Sequence, residues 1–97
     1  MKVVDKAFEN KLKKSVLKIE SVFRKSGLGA EIFEINLETD FIAFSAKIAE
    51  AVTGSKKKMI IHQITTALNL SDDEVDIKGR NSESELVDIC VASKSFN

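Results

Sequence analysis

Apolar side chains recur at steps of three and four through the first quarter of the chain: Val4, Phe8, Leu12, Val16, Ile19, Val22 and Phe23. This spacing lays a single stripe along a helix. Lys6, Lys13, Lys14, Arg24 and Lys25 fall away from the stripe. Ser26-Gly27 ends the pattern, with Gly27 suited to the left-handed residue that closes many helices. The spacing therefore predicts a helix over 4–25, and Gly27-Leu28-Gly29 reads as a linker.

From Ala30 to Leu37 the period changes to two, as Phe33, Ile35 and Leu37 alternate with Glu34, Asn36 and Glu38. That is the pattern of a half-buried strand. Residues 41–52 fit two periods. As a helix they offer a Phe41/Phe44/Ile48/Val52 stripe, an Asp40 cap and Gly54 as a stop. As a strand they alternate Ile42, Phe44, Ala46 and Ile48. Register favours the strand. With Thr39-Asp40 as a two-residue turn, Leu37 faces Ile42, Ile35 faces Phe44 and Phe33 faces Ala46, so the large apolar groups share one sheet face. Thr-Asp is not the favoured Asn-Gly hairpin turn, so the support from the turn is partial.

Ser55 reads as a cap for a second helix over 56–69, whose buried stripe is Ile60, Ile61, Ile64, Ala67 and Leu68. Val75–Lys78 and Leu86–Ala92 then read as a closing hairpin around the polar loop Arg80–Glu85. The last of these is apolar on both faces except at Asp88, the pattern of a strand that is central in its sheet or covered on its second face by a partner. The order is helix-strand-strand twice over, without a sequence repeat between the halves. The expected fold is α+β, a two-layer sandwich of order α-β-β-α-β-β with two helices on one face of a four-stranded antiparallel sheet. A helical 41–52 would make it α-β-α-α-β-β.

Composition narrows the class. The 97 residues are 43% hydrophobic and 31% charged, the balance of an ordinary single domain. The apolar runs are too short for a transmembrane helix. The opening Met-Lys-Val-Val-Asp-Lys lacks the apolar core of a secretory signal, and Cys90 is the only cysteine. Both point to the cytoplasm. The net charge of zero conceals segregation. Residues 1–30 hold eight bases and three acids, and residues 31–54 hold five acids and one base. Residues 55–70 hold three bases and no acid, and residues 71–97 hold seven acids and three bases. Basic helices against acidic strands would make the molecule strongly dipolar.

Candidate chemistry is sparse. Gly54-Ser55-Lys56-Lys57-Lys58 joins a hydroxyl to three lysines at a helix start, where amides and the helix dipole favour anions. A solvated basic turn is the simpler reading. Lys13, Lys14 and Lys18 could track phosphates, and with Lys56–Lys58 they could form one patch. Two arginines and no Tyr or Trp leave little for base readout or stacking. His62 and Cys90 stand alone, too few for zinc, and a mid-strand cysteine is more often packing than nucleophile. Asp72-Asp73-Glu74 lacks the spacing of a calcium loop, and Ser71 with Glu74 fits a capping box. No cofactor or metal is expected.

The leading expectation is a small non-enzymatic binding module for another protein, such as an inhibitor, immunity-type protein or regulatory adaptor, steered by charge. Leu86, Cys90 and Ala92, with Ile32 and Ala43 across the sheet, would supply a surface for a homodimer. A sequence-tolerant nucleic-acid-binding regulator using the basic helix faces is the alternative.

Overall fold

A computed structural model describes residues 6–49, 52, 54–79 and 85–96. Helix α1 (Lys6–Lys25) leads into strands β1 (Ala30–Leu37) and β2 (Phe41–Ile48). Helix α2 (Gly54–Leu68) leads into β3 (Val75–Gly79) and β4 (Leu86–Ala92). Short 3-10 turns cover Asp72–Glu74 and Ser93–Phe96. The strands form one antiparallel sheet of order β1-β2-β4-β3. This is the α-β-β-α-β-β fold, and residues 41–48 are strand rather than helix. The first two residues of the helix expected over 4–25, and most of the loop 80–85, lie outside the described residues.

The competition over 41–52 is decided by pairing on both sides. Leu37 stands opposite Ile42 and Ile35 opposite Phe44, while Phe44 meets Ile89 and Ile42 meets Val91 across β4. A strand bonded on both edges with one apolar face outweighs the modest helix preference of four alanines. Both helices cover that same face. Ile19, Val22 and Phe23 of α1 and Ile60 and Ile64 of α2 share one core with Ile42, Phe44, Ala46, Ile77, Val87, Ile89 and Val91. β4 is central, paired with β2 on one edge and β3 on the other, as its composition suggested.

One pairing differs from expectation. Ile32, not Phe33, stands opposite Ala46, because a β-bulge between Ile32 and Glu34 inserts Phe33 as an extra residue. Phe33 is left 54% exposed, and Ile32 packs against the core.

Both helices end alike. The Leu28 amide donates to Phe23 O at 3.0 Å and the Gly27 amide to Arg24 O at 3.0 Å, with Gly27 at φ 79°. At the end of α2 the Leu70 amide donates to Thr65 O at 2.8 Å and the Asn69 amide to Thr66 O at 3.3 Å, with Asn69 at φ 60°. This is the double closure of a Schellman motif, built once on glycine and once on asparagine. Ser55 does not cap α2: the helix already includes Gly54, and Ser55 makes no capping hydrogen bond among the described residues. The Glu74 carboxylate does accept the Ser71 amide at 3.0 Å, one arm of the expected capping box.

Candidate functional site: the β1 edge and its apolar groove

The lysines singled out from sequence do not converge. α1 and α2 run antiparallel, since Lys11–Lys18 lie by Leu68 and Leu70, and Val22 and Lys25 lie by His62 and Gln63. Lys56–Lys58 therefore sit at the other end of the helix pair from Lys14 and Lys18, about 16 Å away along the axis at 1.5 Å per residue. Lys57 Nζ pairs with Asp76 Oδ1 at 3.6 Å, and Lys13 Nζ pairs with Glu9 Oε1 at 3.4 Å. Lys14 and Lys18 instead line a cleft with Lys11. The single basic patch expected from the sequence is split in two.

The expected self-association surface is also divided. Leu86, Cys90 and Ala92 of β4 and Ala43 of β2 lie on the sheet face away from the helices, where Ala43 pairs with Cys90. Ile32 lies on the helix-covered face, carried there by the bulge. Ala43 is itself buried. The open face also holds a polar pair, the Ser45 hydroxyl donating to Asp88 Oδ1 at 2.7 Å. Lys78 Nζ stands 5.9 Å from the centroid of the Phe41 ring.

Cys90 faces the same side, and burial pushes its thiol above the ordinary value. Lys78 opposes the shift, and the Asp88 and Asp76 carboxylates add to it. The folded chain thus holds this proton more tightly than the unfolded one. The stabilising contribution is present at neutral pH and is lost as pH rises through the folded pKa. Iodoacetamide at pH 8 should alkylate Cys90 several-fold more slowly in the native protein than in urea. Equal rates, read by mass spectrometry, would contradict this placement. His62 does not approach the thiol: it is exposed on α2, with Nδ1 3.4 Å from Asp72 Oδ1, on the other side of the sheet. Among the described residues no group of His, Cys, Asp and Glu could hold a metal ion. No described helix is long and apolar enough to cross a membrane.

What the sequence reading missed is an apolar strip at the β1 edge. Leu17 is 67% exposed, Leu37 46% and Ile35 37%. Leu12, Val16, Leu17 and Ile35 line a groove between α1 and β1, rimmed by the Glu9–Lys13 pair. Ile35 and Leu37 do face the helix layer, as their register implies, yet α1 does not cover them. The signal lay in Leu17, a leucine off the α1 stripe.

The backbone beside this strip is open. The Glu38 amide donates to Phe41 O at 2.9 Å, closing the hairpin. Antiparallel pairs alternate between bonded and non-bonded, so the N–H and C=O groups of Ile35 and Leu37 point away from β2. Further back the edge is blocked, because Glu20 Oε2 accepts the Ile32 amide at 3.0 Å. The opposite edge is better protected. β3 has only five residues, and Asp76 Oδ1 accepts the outward Ile77 amide at 2.8 Å while pairing with Lys57. The two edges are thus unequal, and only β1 combines outward backbone groups with exposed apolar side chains. Compared with known proteins, the chain matches no family model, no curated protein sequence and no solved structure.

Proposed function

We propose that this protein is a non-enzymatic protein-binding module whose docking surface is the β1 edge from Glu34 to Glu38 with the adjoining groove. The observation that carries this reading is the exposed strip of Leu17, Ile35 and Leu37 beside outward-pointing backbone groups. Soluble chains usually blunt such edges, as β3 is blunted here. The partner supplies an extended segment that adds as a fifth strand, with main-chain hydrogen bonds giving affinity and alternate side chains giving selectivity.

The flanking charges define that segment. On the sheet face away from the helices β1 presents Glu31 and Glu34, with Glu38 following. Strand residues placed beside them should be basic, and those turned to Ile35, Leu37 and Leu17 should be apolar. A second copy pairing edge to edge would set glutamates against glutamates, which disfavours a homodimer through this edge. Polynucleotide is a poorer fit, with the lysines divided between two ends of the molecule.

The test is fluorescence anisotropy with labelled octapeptides of alternating lysine and valine, or glutamate and valine, beside a DNA duplex. The lysine peptide should bind at least about tenfold more tightly than the glutamate peptide, a difference of about 1.4 kcal/mol. Binding should weaken with salt. Leu17→Ser with Leu37→Lys should abolish it, while the thermal midpoint changes little because Leu17 is largely exposed and Leu37 nearly half exposed. Equal affinity for both peptides, binding untouched by the double substitution, or preference for the duplex would remove the reading.

A further inference from the structure

We propose a second, separate site: the cleft between the first half of α1 and the C-terminal end of α2 binds a phosphate monoester carrying a small apolar or aromatic group. Lys11, Lys14 and Lys18 line the cleft, at i, i+3 and i+7 on one helix face. None of the three is in an ion pair among the described residues, in contrast to Lys13 and Lys57. No acidic side chain lines the cleft among the described residues. Three neighbouring ammonium groups repel one another, and a bound dianion relieves that repulsion.

Ser15 supplies an independent observation. It lies among the lysines, is 6% exposed and lines the cleft. Its hydroxyl adds a neutral donor for a phosphate oxygen beside the three ammonium groups. The floor has the opposite character. Leu68, Leu70 and the buried Phe96 form it, with the Phe96 ring held edge-on to Phe8 at 6.2 Å between centroids. Cations above and hydrocarbon below select an amphiphilic anion over inorganic phosphate.

Size and local field agree with that class. The cleft holds about 210 Å³, below the ~300 Å³ where sites for drug-sized ligands begin. A phosphate with a short substituent fits, and a nucleotide does not. The C-terminal end of α2 would oppose an anion. Its Thr65 and Thr66 carbonyls, however, are already satisfied by the Leu70 and Asn69 amides, which leaves the lysines dominant. Lysines suit this task, as point charges with several donors for phosphate oxygens.

The probe is phenyl phosphate, followed by amide chemical shifts in the intact protein, with inorganic phosphate, phenol and a DNA oligonucleotide as parallel arms. Saturable shifts are expected at Ser15, Leu70 and Phe96, with phenyl phosphate at least about tenfold tighter than inorganic phosphate or phenol. Lys14→Gln should weaken it about tenfold, as loss of a charge-assisted contact does. Ser15→Ala should weaken it by a smaller factor, and Lys58→Gln at the far end of the helix pair should leave it unchanged. Shifts spread equally over Lys56–Lys58, an unaltered affinity in Lys14→Gln, or tighter binding of the oligonucleotide would overturn the site. Because each variant is compared by its own spectrum, a variant that fails to fold is recognised, and Lys14→Gln, at an exposed position, keeps the test decisive.

Discussion

Replacing Phe44 by alanine should lower the free energy of unfolding by about 3–5 kcal/mol, the range for deleting a fully buried aromatic side chain. Phe44 is completely buried on β2, stands opposite Ile35 on one side and Ile89 on the other, and lies 6.3 Å from the Phe96 ring between centroids. The loss combines the apolar surface no longer withdrawn from water with the cavity that two bonded neighbouring strands cannot collapse to fill. A domain of this size has about 5–15 kcal/mol in total, so the variant should fold only marginally at 37 °C. Urea unfolding followed by circular dichroism reads the effect as a lower midpoint with an unchanged slope. Phe33→Ala is the control, the same chemistry on the bulge of the same hairpin. It should change stability by no more than about 1 kcal/mol, as exposed positions do. Comparable losses for the two would mean that the bulge is misplaced.

Leu28→Ala should cost about 2–5 kcal/mol, the range for truncating a buried leucine, although the residue lies in the connection between α1 and β1. Leu28 is 1% exposed. Its amide closes α1 on Phe23 O, and its carbonyl accepts the Ala49 amide at 3.2 Å, tying the helix end to the end of β2. Gly27 and Gly29 on either side have φ of 79° and 59°. Those two left-handed residues turn the chain so that one leucine between them enters the core. Gly27→Ala should therefore destabilise as well, by about 1–2 kcal/mol, since an alanine has open space there but not the backbone freedom. Both are read by the same urea titration. A loss below about 1 kcal/mol for Leu28→Ala would refute its place in the core, because exposed loop residues behave that way.

These two positions mark what the chain makes legible. Phe44 is readable because its alternation and its hairpin partners agree, and the same holds for β4, whose two apolar faces announce a central strand. Leu28 is not, since periodicity carries no information across Gly27-Leu28-Gly29 and a linker is the natural reading. The closure of α2 at Asn69 is hidden for a related reason: asparagine adopts the left-handed region less often than glycine and leaves a weaker mark. The candidate sites were legible only as ingredients. Lys14 and Lys18 were visible, but their separation from Lys56–Lys58 follows from the antiparallel helices, a tertiary fact. Ser15 does not stand out in the sequence, because what distinguishes it is burial beside the lysines of the cleft, a tertiary fact. The edge strip escaped because Ile35 and Leu37 obey the rule for core residues. What leaves them exposed is the path of α1, which no local pattern encodes.

The bulge at Phe33 has a consequence for changes of chain length in this hairpin. Between Ile32 and Glu34 the strand carries one residue, Phe33, more than its partner requires. Losing Phe33 would only straighten the ladder and keep every other side chain on its own face. A deletion between Ile35 and Leu37 has no such slack. It would turn one of the paired hydrophobic groups outward and carry a glutamate or asparagine toward the helices. Loss of one residue is thus tolerated at this single phenylalanine and excluded two positions further along the strand.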